Sequence, residues 1–155
     1  MLRLICALIL VLLIVTPSLG QQSLVGAYKM VSRVQDVQGS GSNEIMGKSP
    51  RGDLILTRTR VALLYTAEVR KPGTSVAEKA ALYDTLTSWS GRYRVEGSKM
   101  IVSVAASWNE TWTGTDVVWN TQLSGNRLTL TSDPRPSGRD PSKTVVTRLV
   151  WEKIE

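Results

Sequence analysis

The chain has 155 residues, with 19 Lys plus Arg against 13 Asp plus Glu, a formal net charge of +6 and an isoelectric point near 9.8. It contains no histidine, and its single cysteine is Cys6, inside an apolar leader. That composition excludes Ser-His-Asp and Cys-His catalysis and leaves any zinc site to carboxylates alone, so no metal and no cofactor are expected.

The leader comes first. Arg3 is a short basic region, 4–15 is an apolar run, and small Ser18 and Gly20 stand where a signal peptidase prefers small residues. The run is shorter than the ~20 residues that span a bilayer. Residues 1–20 therefore read as a cleaved signal peptide and residues 21–155 as one domain, exported to the periplasm or secreted, without a stable membrane anchor after cleavage. The basic residues are scattered: Arg58 and Arg60, Arg92 and Arg94, Arg135 and Arg139. A nucleic-acid binder needs them gathered in a patch, so no nucleic-acid partner is expected.

Leu24 to Val34 reads as a first strand with Tyr28, Met30, Ser32 and Val34 on one face. A loop rich in Gly, Ser and Asn fills 35–50. Gly52 to Thr57 is a second strand. Val61 to Val69 is a third, with Val61, Leu63, Tyr65, Ala67 and Val69 in phase. Lys71-Pro72-Gly73 ends it. Ser75-Val-Ala-Glu78 fits a capping box that opens a helix running to about Ser90, with Val76, Ala80, Leu86 and Trp89 on its seam and Gly91 as its stop. Further strands follow at Arg92 to Glu96, Met100 to Trp108, Thr115 to Leu123 and Arg127 to Thr131, most of them at hairpin spacing. A loop with three prolines covers 132–142, and Lys143 to Lys153 closes the chain with Val145, Thr147, Leu149 and Trp151 in phase. Short strands in this pattern suit a sandwich or a closed antiparallel barrel; the expected fold is all-β with one helix, an antiparallel up-and-down β-barrel of about eight strands, whose interior has room for side chains or one small ligand.

Several segments are similar to the bacterial lipocalin-like domain family of the calycin group, over Leu24 to Ile154. They are Leu24-Val-Gly-Ala-Tyr-Lys-Met-Val-Ser, Pro50-Arg-Gly-Asp-Leu-Ile-Leu-Thr, Ser90-Gly-Arg-Tyr-Arg-Val-Glu-Gly, Ala106-Ser-Trp-Asn-Glu-Thr-Trp-Thr-Gly-Thr, Leu123-Ser-Gly-Asn-Arg-Leu-Thr-Leu-Thr and Leu149-Val-Trp-Glu-Lys. Where the family reads Gly-x-Trp, this chain has Gly26-Ala-Tyr28. The resemblance implies a barrel able to hold a small apolar molecule.

Phenylalanine is absent, so every aromatic ring carries a polar tip, which suits a cavity that meets both an apolar ligand and water. Tyr65, Tyr93, Trp108, Trp112 and Trp119 are the candidate ligand-binding residues, and a small hydrophobic or amphipathic molecule is the expected partner. Tyr28 and Trp151, on the first and last strands, are read as closure residues, with Arg148 stacked over one of them. No catalytic residue is assigned. Two other readings stay open: a barrel isomerase or cyclase using Glu68, Asp116 or Tyr93 as acid or base, and a protein-binding adaptor with a solid core.

Overall fold

The structure is a computed structural model describing residues 24–137 and 140–155. The predicted signal peptide, and Arg139 in the last long loop, lie outside the described residues.

Among the described residues ten strands and one α-helix follow in order: β1 (Gly26–Val37), β2 (Gly41–Asn43), β3 (Arg51–Leu56), β4 (Arg60–Thr66), α1 (Val76–Asp84), β5 (Leu86–Glu96), β6 (Lys99–Ser107), β7 (Asp116–Ser124), β8 (Arg127–Ser132), β9 (Arg135–Pro136) and β10 (Thr144–Lys153). The sheet order is β2-β1-β3-β4-β5-β6-β7-β8-β10-β9, every pairing is antiparallel, and β1 also pairs with β10. Eight long strands therefore close into an up-and-down barrel, with β2 and β9 as short extensions at its rim. Closure satisfies both edges that an open sheet would leave unpaired.

In such a meander alternate connections fall at the same end. The short turns at 57–59, 97–98 and 125–126 share one end with both described chain ends, where the Ala27 N–H donates to the Glu155 carbonyl at 3.2 Å. The four long connections, 38–50, 67–85, 108–115 and 133–143, gather at the other. The barrel thus has a tight base and a loop-built mouth.

Period-two alternation fills the base and middle. Tyr28 and Trp151 are fully buried, as are Leu54, Leu128 and Leu130, and the Tyr28 hydroxyl donates to the Leu24 carbonyl at 2.8 Å. On β10 the residues read as in phase, Val145, Thr147, Leu149 and Trp151, are all buried. Arg148 does not stack on an aromatic ring. It lies outside and pairs with Asp36 at 3.4 Å, because its odd neighbours are the ones that face inward.

Three further expectations change. First, β1 does not keep its even face inward. Its register with β10 shifts between Met30 and Ser32, leaving Val31 as an inserted residue. Such a bulge puts two residues opposite one and swaps the faces beyond it. Tyr28 and Met30 are buried before the bulge, but Arg33, not Val34, is buried after it. Second, the helix ends at Asp84, and α1 buries no residue at all. The segment expected to complete it is the start of β5, where Thr87, Trp89, Gly91 and Tyr93 alternate inward. Pairing with two neighbouring strands overrides the local helical pattern. Gly91 is not a helix stop: a Cβ there would strike the Ser103 carbonyl oxygen on β6. Beside it a second bulge, between Ser90 and Gly91 in the β5–β6 register, leaves Ala106 exposed. Third, β4 stops at Thr66, so Val69 is in solvent.

Among the described residues, no helix is long and apolar enough to cross a membrane, and no three His, Cys, Asp or Glu side chains gather as a metal cage.

Candidate functional site

The inward faces of the strands leave a cavity of about 560 Å³ at the mouth, within the ~300–1,000 Å³ range of small-molecule sites. Its deeper wall is Tyr65 on β4, Thr87 and Trp89 on β5, Trp119 on β7, and Thr147 and Leu149 on β10, each of them buried. Trp108 follows β6 and is held where the strand ends by its N–H, which donates to the Ser88 carbonyl at 2.9 Å. Trp112 comes from a single 3-10 turn, Glu110–Trp112, capped by the Asn109 side chain, which accepts from the Thr111 N–H. The two indoles meet edge to face, with centroids 5.1 Å apart. Tyr83 of α1 leans on Trp108 at 6.4 Å and donates its hydroxyl to the Trp108 carbonyl at 3.1 Å. The helix thus meets the barrel through its Tyr83 ring at the rim.

Four of the five candidate residues, Tyr65, Trp108, Trp112 and Trp119, stand together on this cavity. Tyr93 does not. It is buried at the base, where its hydroxyl donates to the Thr57 carbonyl at 2.8 Å. Its pKa is pushed up to about 12, chiefly by desolvation and then by the neighbouring Tyr28. It has the environment of a closure residue.

The carboxylates considered for acid–base work have other partners. Glu68 Oε2 accepts from the Lys48 N–H at 2.9 Å and the Ser49 N–H at 3.3 Å, while its own N–H donates to the Met46 carbonyl at 2.8 Å. It thereby pins the connection between β2 and β3, which tucks Met46 over the mouth. Asp116 lines the cavity but is exposed, accepting from the Ser103 hydroxyl at 2.7 Å with Arg94 at 4.0 Å. Asp133, also on the cavity and exposed, accepts from Asn120 at 2.8 Å and pairs with Lys99 at 3.5 Å. Those two partners hold its carboxyl below the usual range, the Asn120 hydrogen bond most of all.

Several wall residues are not among the five candidates, Thr87, Trp89, Arg33, Arg135, Thr147 and Leu149 among them. Trp89 was assigned to the helix, although Thr87-Ser-Trp-Ser-Gly-Arg-Tyr already alternates as a strand. Arg33 was hidden by the bulge. Arg135 was placed in a loop. Thr147 was read as core. On the outer face, a shallow groove with exposed Ile55 and Leu64 runs past Trp108.

A closed up-and-down barrel with an aromatic cavity at its looped end is the architecture of a ligand-binding β-barrel. The family model for the lipocalin-like domain matches residues 25–154, and the chain belongs to that family. A search of curated proteins found no match.

Proposed function

We propose that this protein is exported and binds one small hydrophobic or amphipathic molecule in the mouth cavity. The observation that carries the reading is the 560 Å³ space itself, walled by three indoles beyond Trp89. Aromatic rings offer apolar contact at little entropic cost, while their polar tips tolerate water at the opening. The leader composition supports export, since the apolar run is followed by small residues at the proposed cleavage point.

The test is a titration of delipidated protein with lipophilic probes, read by intrinsic tryptophan fluorescence. Saturable change at one-to-one stoichiometry is expected, and Trp119→Ala should weaken it while leaving the far-ultraviolet circular dichroism unchanged. A flat response across aliphatic and aromatic probes would remove the proposal. Fractionation of cells that make the protein should recover a shortened chain outside the cytoplasm, and a full-length cytoplasmic product would overturn the export claim.

A further inference from the structure

Arg33 is the only charged side chain among the buried described residues, at 7% exposure, and it lies on the cavity wall. Its Nε donates to the Tyr65 hydroxyl at 3.2 Å. Its Nη1 is buried and has no hydrogen-bond partner, and no carboxylate lies within ion-pair distance of it among the described residues. A guanidinium presents five N–H donors and no acceptor, and a buried, unpaired charge is strongly disfavoured. The other buried side-chain atoms without partners are the indole nitrogens of Trp119 and Trp151. All three orphans are donors, and Trp119 also lines the cavity. The barrel interior is therefore short of acceptors and of negative charge.

Arg135 adds a second positive charge at the same cavity. It is exposed as a residue, yet its pKa is lowered, first by desolvation and next by Arg33. The two guanidiniums feel each other. The acidic residues on the cavity, Asp84, Asp116 and Asp133, are all exposed, and neither Arg33 nor Arg135 pairs with them.

We propose that the ligand is an amphipathic anion, whose oxyanion head group is received by Arg33, the Tyr65 hydroxyl and Arg135 while its apolar body lies against the indoles. This inference rests on the cavity being the binding site. A carboxylate or a phosphate monoester accepts from a guanidinium in two parallel bonds, which neutral polar groups cannot match. Tyr65 already accepts from Arg33, so its own proton is the one left to donate. The bulge at Val31 is what makes the site: without the inserted residue, Arg33 would face solvent.

The experiment compares two probes with the same skeleton, anilinonaphthalene sulfonate and its uncharged parent N-phenyl-naphthylamine, on delipidated full-length protein and on Arg33→Met, Arg33→Lys and Arg135→Gln. The sulfonate is expected to bind at least about tenfold more tightly than the parent. Arg33→Met should erase that preference and leave the parent within about twofold, whereas Arg33→Lys should keep part of it. The melting temperature of Arg33→Met should equal or exceed that of the native protein, because an unpaired buried charge is gone; a purely structural arginine would melt lower. Arg135→Gln is exposed and gives an independent reading if the Arg33 variants do not fold. Displacement by decanoate against decyl phosphate distinguishes a carboxylate from a phosphate head. If both probes bind equally and Arg33→Met weakens them alike, the anion inference falls while the cavity reading stands. If neither probe binds saturably, both fall.

Discussion

Raising the pH should loosen the base of the barrel through Tyr93. A phenol ionises near ~10 in an unfolded chain, but at about 12 in this one when folded, because burial disfavours the phenolate and Tyr28 stands beside it. The sign follows from proton counting. Below pH ~10 both states keep the proton and the full stability is present. Between ~10 and about 12 the unfolded chain loses its proton while the folded chain keeps it, so stability falls as pH rises through this window. At pH ~11 the loss reaches about 1.4 kcal/mol for a fully shielded group, and solvent screening near the turns of the base trims it to about 1 kcal/mol. Tyr93→Phe removes the titration, together with the hydrogen bond to Thr57, worth about 1 kcal/mol at neutral pH. Urea unfolding of both proteins, followed by tryptophan fluorescence at pH ~8 and ~11, cancels the lysines they share. The native protein should lead by about 1 kcal/mol at the lower pH and by almost nothing at the higher. An unchanged lead would refute the reasoning, since it would mean that Tyr93 ionises as freely folded as unfolded.

Two further outcomes test the packing. Gly91→Ala should cost about 2–4 kcal/mol in chemical denaturation, because the new methyl meets the Ser103 backbone on the paired strand, where nothing can rotate away; a loss under ~1 kcal/mol would contradict that closeness. Ser75→Ala removes the capping box formed with Glu78, a local cost of about 1 kcal/mol. Because α1 buries no side chain, global stability should move by less than ~0.5 kcal/mol, with the change appearing as faster amide exchange within Val76–Asp84.

The strands were readable wherever two faces stayed in phase. On β10, polar Thr147 did not obscure the pattern, because Val145, Leu149 and Trp151 surround it at even spacing. The capping box at Ser75 is readable for a different reason: it depends on the chemistry of a few adjacent residues. The failures share a cause. Val31, and Ala105 on β6 opposite the step from Ser90 to Gly91, are single inserted residues, and an insertion is defined by the partner strand, which one segment's sequence does not contain. The site was therefore half legible. Tyr65 and Trp119 follow from strand alternation, whereas Trp112 sits on a 3-10 turn and Arg33 enters only because pairing with β10 skips a residue. The helix end has a similar cause: Leu86 and Trp89 share a helical seam while Thr87, Trp89, Gly91 and Tyr93 share a strand face, and the hydrogen bonds of β4 and β6 decide between them.

Both described chain ends lie at the base, beside the short turns and opposite the mouth. Anything joined at either described end, whether a surface tether, a fusion partner or a support for immobilisation, would leave the opening pointed away from its anchor. Loops at the mouth could also lengthen or change without disturbing the three hairpins that set the registers. The barrel divides into a fixed foot and an adjustable crown, so attachment and specificity can be varied independently.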